Sequence, residues 1–214
     1  IGTLVRRLIF DLPTTLRAVV PAEPNHSLAA WTAEAWVRPT AAADGIVLRR
    51  ATADLPGMRG INYELGVENR GGTLFAYSQY TTDSSGSALQ VRLDTTQPGE
   101  ATTNGILVGS MIAPEEWTHL AATYQPTNYT FKLYVNGDLA SYRVDAVGTP
   151  ALGAGENAAV GSEFTIGGGS LLAGVVQNGF EGHIDEVRIM RGALSDATIL
   201  EHASGFGEFY GLVQ

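Results

Sequence analysis

The chain has 214 residues, 44% of them apolar, with no cysteine and a formal net charge of −9. That length and apolar content suit one sizeable core, while the lack of cysteine excludes disulfides, zinc–thiolate sites and a cysteine nucleophile. The acidic balance argues against a phosphate-neutralising surface and so against nucleic acid, and no apolar run approaches the ~20 residues that membrane insertion would need.

In chain order, Leu4 to Phe10 and Leu16 to Val20 read as two short strands separated by Asp11-Leu-Pro13. Proline cannot donate within a central strand, so this segment is expected to enter at a sheet edge. Ser27 to Arg38 alternates: Ala33, Ala35 and Val37 face one way, Glu34, Trp36 and Arg38 the other, until Pro39 closes the strand. Strands Gly45 to Arg50, Ile61 to Glu68, Thr73 to Gln79 and Ala88 to Leu93 follow, each bounded by turn-forming residues. Between them Ala51 to Gly60, Thr81 to Ser87 and Asp94 to Asn104 read as loops, which often carry binding surface.

Trp117 to Tyr124 and Thr130 to Val135 form the clearest strand pair. Asn136-Gly137 is a strong hairpin signal, because both central residues of a type I′ turn need positive φ, and Leu139 to Val144 is the return strand. Thr149 to Ser162 reads as a loop, Phe164 to Gly167 as a brief strand and Gly168 to Asn178 as another loop. Within Phe180 to Met190, Ile184 and Val187 have opposite parity while Val187 and Ile189 match; either a bulge intervenes or both faces are covered. Ser195 is a suitable N-cap for a helix from Asp196 to Ala203, with Gly205 to end it. No repeat or linker divides the chain, so residues 1–214 read as a single domain, expected to be part of a longer protein.

Several motifs occur in order: Phe10-Asp11, Glu34-Ala-Trp36-Val37, Trp117-Thr-His119-Leu-Ala121, Leu133-Tyr-Val-Asn-Gly137, Gly182-His-Ile-Asp-Glu-Val-Arg-Ile189 and Ala193-Leu-Ser195. Together, over nearly the whole chain, they resemble the laminin-G-like branch of the concanavalin A-like lectin/glucanase superfamily. The resemblance implies an all-β jelly-roll sandwich, two antiparallel sheets of six or seven strands each, with one short C-terminal helix. Leu12-Pro13 departs from the family pattern, which usually has glycine after Asp11. The fold hosts lectins, adhesion modules and hydrolases alike, so function has to be argued from the site.

A retaining glycosidase needs two carboxylates about 5 Å apart, which the glucanase branch supplies as Glu-x-Asp-x-x-Glu on one strand. This chain lacks that motif; in the nearest cluster, Glu181-Gly-His183-Ile-Asp185-Glu186, the adjacent Asp185 and Glu186 point to opposite faces. The chain therefore reads as non-catalytic. The resemblance implies one structural Ca²⁺ on Asp185, with Asp11 or nearby loop carbonyls as partners among the six to eight oxygens this cation takes. The structural alternatives are a hydrogen-bonded Asp in a turn or a surface pair of Asp185 with Arg188.

Sugar binding pairs aromatic faces with hydrogen-bonding groups. Asn69, Arg70, Tyr77, Tyr80 and Asp83 are of that type and lie near loops, whereas Trp36 and Trp117 read as core anchors. Lys132, the only lysine, is expected to point to solvent. The leading reading is a non-catalytic binding or adhesion module, extracellular or on the cell surface, recognising glycan or protein. The alternative is a self-associating unit of a fibre or surface layer whose edges and N-terminal segment, Ile1 to Val20, pair with neighbours; a glycoside hydrolase ranks last.

Overall fold

The computed structural model describes residues 8–10, 17–20, 26–52, 60–82, 89–95, 104–106, 111–144, 150, 163–169, 171–172 and 175–205. The first strands are Leu8–Phe10 (β1), Ala18–Val20 (β2), Trp31–Pro39 (β3), Gly45–Ala51 (β4), Ile61–Arg70 (β5), Thr73–Thr81 (β6), Gln90–Asp94 (β7) and Asn104–Ile106 (β8). They continue with Met111–Ile112 (β9), Thr118–Gln125 (β10), Thr130–Val135 (β11), Asp138–Arg143 (β12), Phe164–Ile166 (β13), Leu171–Leu172 (β14), Val175–Val176 (β15) and Gly182–Arg191 (β16), before helix Asp196–Ser204 (α1).

Among the described residues these strands build two seven-stranded sheets and a small two-stranded sheet of β14 and β15. The first sheet runs β1-β16-β3-β10-β11-β12-β8; the second runs β2-β13-β4-β5-β6-β7, with β9 also against β6. The two N-terminal strands lie at edges, as expected, but of different sheets. β8, β9, β14 and β15 fall where no strand was expected, since strands of two or three residues are too short to show alternation.

Period-2 alternation places the core between the sheets. β3 contributes Trp31, Ala33, Ala35 and Val37; β10 and β11 contribute Leu120, Tyr124, Phe131 and Leu133; the facing sheet supplies Tyr63, Leu65, Val67, Leu74 and Tyr80. Trp31 is its centre, with ring centroids 5.8 Å from Tyr63, 6.2 Å from Tyr124 and 5.7 Å from Phe131. The expected anchors prove different: Trp36 is buried on the opposite face of β3, 5.3 Å from the His119 ring, and Trp117 is half-buried beside His183.

Two local devices set the first sheet. Asn136 and Gly137 have φ of 52° and 84°, as a type I′ hairpin demands, and the Asn136 side chain accepts from the His119 backbone N–H at 2.9 Å. The parity change in β16 is a bulge between Asp185 and Arg188, with Glu186 at φ 47° and its N–H donating to Asp185 Oδ1 at 2.7 Å. This lets both Ile184 and Val187 face inward.

Helix α1 covers the outside of that sheet. Ser195 caps it, accepting from Thr198 N at 3.2 Å, and Ile199 packs on Ala121 and Tyr134. Lys132, expected in solvent, instead reaches Asp196 at 2.6 Å, a favourable carboxylate position at a helix N-terminus.

Beneath the helix, buried Glu34 receives Arg188 Nη1 at 3.1 Å and His202 Nδ1 at 2.9 Å, with His119 Nε2 at 3.8 Å. Burial pushes the His119 pKa down to about 4, against the attraction of Glu34 and with the help of Arg188 and His202. A folded-state pKa below the unfolded value of ~6.5 contributes stability that is present above pH ~6.5 and lost as pH falls toward the folded value, by up to ~3 kcal/mol. Urea unfolding of wild type at pH 7 and pH 4.5 is expected to show this fall, and His119→Gln a smaller one. Equal falls in both proteins would show that His119 is not its source.

Candidate functional site

The outer face of the second sheet carries the structure's most organised polar array. Register alone lines it up: Thr165 of β13 stands opposite Arg49 of β4, Arg49 opposite Glu64 of β5, Glu64 opposite Gln79 of β6, and Gln79 opposite Arg92 of β7. The next row runs Gly66, Tyr77, Asp94. These are the outward members of strands whose alternate residues fill the core.

One end of the array is closed. Glu64, with 1% of its side chain exposed, is paired with Arg49 and accepts from Tyr77 Oη at 2.9 Å and Gln79 Nε2 at 2.7 Å. Gly169 seals the Arg49 side: a Cβ there would lie 2.8 Å from Arg49 Nη1, and its carbonyl accepts from Arg17 Nη1 at 2.6 Å. Burial and the Glu64 charge raise the Tyr77 pKa well above its ordinary value, so the phenol stays a proton donor. Gly66 is needed for close approach, because a Cβ would meet the Tyr77 ring at 2.4 Å.

The other end is open. The Arg92 guanidinium lies over the Tyr77 ring, 4.1 Å from its centroid, and Arg70 over Phe75 at 5.4 Å, an arrangement that fixes both planes. Glu68 stands between them, its Oε2 accepting from Arg70 Nη2 at 2.5 Å and from Arg92 Nη2. Asp94, buried, receives Arg70 Nη2 at 2.9 Å, with Arg92 Nε at 3.7 Å. The Glu68 carboxyl is held below its usual range, first by the Arg70 hydrogen bond and, against partial burial, by the nearby guanidinium charges.

About a third of the Glu68, Arg70 and Arg92 side chains is exposed, 33%, 36% and 29%. Glu68 Oε1 and Arg92 Nη1 bond to no described residue, so the lattice presents one acceptor and one donor beside its own ion pair. Such a pair can receive a hydroxyl proton and donate to a neighbouring oxygen. Gln90 on the rim donates its amide to Gln79 Oε1.

The residues expected to bind sugar divide accordingly. Arg70 is in the lattice. Tyr77 is beneath it, its ring face covered by Arg92 rather than free for stacking. Asn69 serves the β5–β6 turn, donating to the Ala41 carbonyl at 2.9 Å and accepting from Gly72 N at 2.8 Å. Tyr80 is a correction: it points into the core, its ring 4.9 Å from Tyr124 and 5.3 Å from Phe131, out of any ligand's reach. Asp83 lies outside the described residues. Glu68, Arg92 and Asp94 were missed, although the alternation of Asn62, Glu64, Glu68 and Arg70 against Tyr63, Leu65 and Val67 pointed to a polar outer face.

Asp185 is buried and holds the β16 bulge through Glu186 N. Among the described residues no three His, Asp or Glu side chains form a metal-holding group. The other expected ligand, Asp11, lies outside them. No described helix is long and apolar enough to cross a membrane.

Fold and array together define a two-sheet jelly-roll sandwich with a partly exposed polar lattice on one outer face. The chain belongs to the concanavalin A-like lectin/glucanases superfamily, whose laminin-G-like family model matches residues 15–200. No curated protein sequence matches it. Among solved structures it is similar to the native heptameric SAP-like pentraxin of Limulus polyphemus, at 16% identity and TM-score 0.62, covering 94% of this chain and 82% of that one. It is also similar to the Ruminococcus gnavus IT-sialidase CBM40 bound to α2,3-sialyllactose, at 15% identity and TM-score 0.56, covering 89% and 99%. A third is a putative carbohydrate binding protein of Bacteroides ovatus, at 17% identity and TM-score 0.54, covering 93% of this chain and 47% of that one.

Proposed function

We propose that the chain is a non-catalytic glycan-binding module of an extracellular protein, binding through the open end of the second sheet's outer face. The observation that carries this reading is the lattice of Arg70, Arg92, Glu68 and Asp94, fixed over Tyr77 and Phe75 and left partly exposed. Preorganised donors and acceptors bind with less loss of side-chain freedom than mobile ones. The carbohydrate-binding names of two similar structures support a glycan as the ligand class.

The carboxylates favour binding over hydrolysis. A glycosidase acid must hold a proton at working pH, whereas Glu68 is held in its charged form and Glu64 is enclosed by Arg49, Tyr77 and Gln79.

On a glycan array, wild type is expected to bind a defined set of oligosaccharides. Arg92→Ala is expected to weaken binding about tenfold or more, the loss of one well-placed charged contact, with little change in melting temperature. A blank array for wild type, or undiminished binding by Arg92→Ala, would overturn this assignment.

A further inference from the structure

We infer that the site selects neutral glycans over carboxylated ones, and that Glu68 is the residue that imposes the choice. The inference rests on the glycan-binding reading above. Its basis is charge. The array carries three arginines, Arg49, Arg70 and Arg92, and three carboxylates, Glu64, Glu68 and Asp94, each arginine paired with at least one of them, and at its closed end Arg17 is paired with Glu163. A guanidinium whose charge is already matched attracts a sugar carboxylate less than an unmatched one; here an acidic sugar meets a compensated lattice.

The geometry sharpens the point. Glu68 engages both exposed arginines through Oε2, while Oε1 bonds to no described residue. The charge holding the arginines in place is therefore also the exposed acceptor. A hydroxyl donates a hydrogen bond to Oε1 while an adjacent oxygen accepts one from Arg92 Nη1–H, so a vicinal diol satisfies both atoms at once. A carboxylate has no proton to offer Oε1 and is repelled by it, with buried Asp94 adding like charge from below.

Removing that one charge should alter selectivity without dismantling the array, because Asp94 still holds Arg70 and Tyr77 still supports Arg92. Glu68→Gln keeps the size and an acceptor oxygen but leaves the two exposed arginines with an excess positive charge.

The experiment compares wild type with Glu68→Gln on matched probes that differ by a carboxylate: lactose against α2,3-sialyllactose, and an oligogalactoside against the oligogalacturonate of equal length. These probes sit within a broad array, and thermal melting confirms that the variant is folded. Wild type is expected to favour neutral probes, and the variant to lose that preference by about tenfold or more, the scale of one like-charge contact. Wild type that favours carboxylated probes, or a variant with unchanged selectivity, overturns the inference and leaves the glycan-binding reading standing. Wild type that binds nothing on the array overturns both.

Discussion

Replacing Glu64 by alanine is expected to destabilise the protein by about 3–5 kcal/mol, the cost of removing one partner from a buried ion pair. Its carboxylate is the shared acceptor for Arg49, Tyr77 and Gln79. Without it, one guanidinium and two neutral donors remain buried, with no water able to replace the lost oxygens at low cost. For a chain of this size the melting temperature should fall on the order of 10 °C. A double change of Arg49 and Glu64 to apolar residues of similar volume should cost less than Glu64→Ala alone, since it strands no charge. Wild type, the two single variants carrying those same apolar residues at 49 and at 64, and the double variant, melted under one buffer, test the claim. If the double variant is as unstable as the sum of the single ones, the ion pair is not what couples them.

Trp31→Ala is expected to have an equal effect for a different reason. The indole packs between the sheets against Tyr63, Tyr124 and Phe131, so truncation leaves a cavity that surrounding strands cannot collapse into. Such changes cost about 3–5 kcal/mol. Urea unfolding should show a lower midpoint with the slope unchanged, and Trp31→Phe should recover part of the loss. A wild-type midpoint for Trp31→Ala would mean that the core does not depend on this side chain.

The sandwich was largely legible in the sequence because its signals are local. Asn136-Gly137 needs positive φ wherever it occurs, Ser195 offers an N-cap oxygen, and the parity change between Ile184 and Val187 announces a bulge. The β5 to β7 strands also appear in their alternation. What alternation cannot give is which strand lies beside which: Arg49, Glu64, Gln79 and Arg92 become one row only through register.

Aromatic residues misled for the same reason. Tyr77 and Tyr80 are three apart on one strand, so their faces differ: Tyr77 lies outward under Arg92, Tyr80 inward against Tyr124. Trp36 alternates with Trp31, and only the packing shows which one the sandwich is built around. Lys132 looked solvated because its partner, Asp196, is remote in sequence.

The strand order has a consequence for assembly of the chain during synthesis. β3 lies between β10 and β16, and β16 is also the only strand bonded to β1 among the described residues. Until residues 182–191 emerge, β3 has an open edge and Glu34 lacks Arg188, and until α1 follows it lacks His202 as well. Pairing across so much intervening sequence is slow, because loop closure precedes the contacts that reward it. A nascent chain stalled before β16 therefore leaves one edge of β3, an interior strand of the finished sheet, open to other chains.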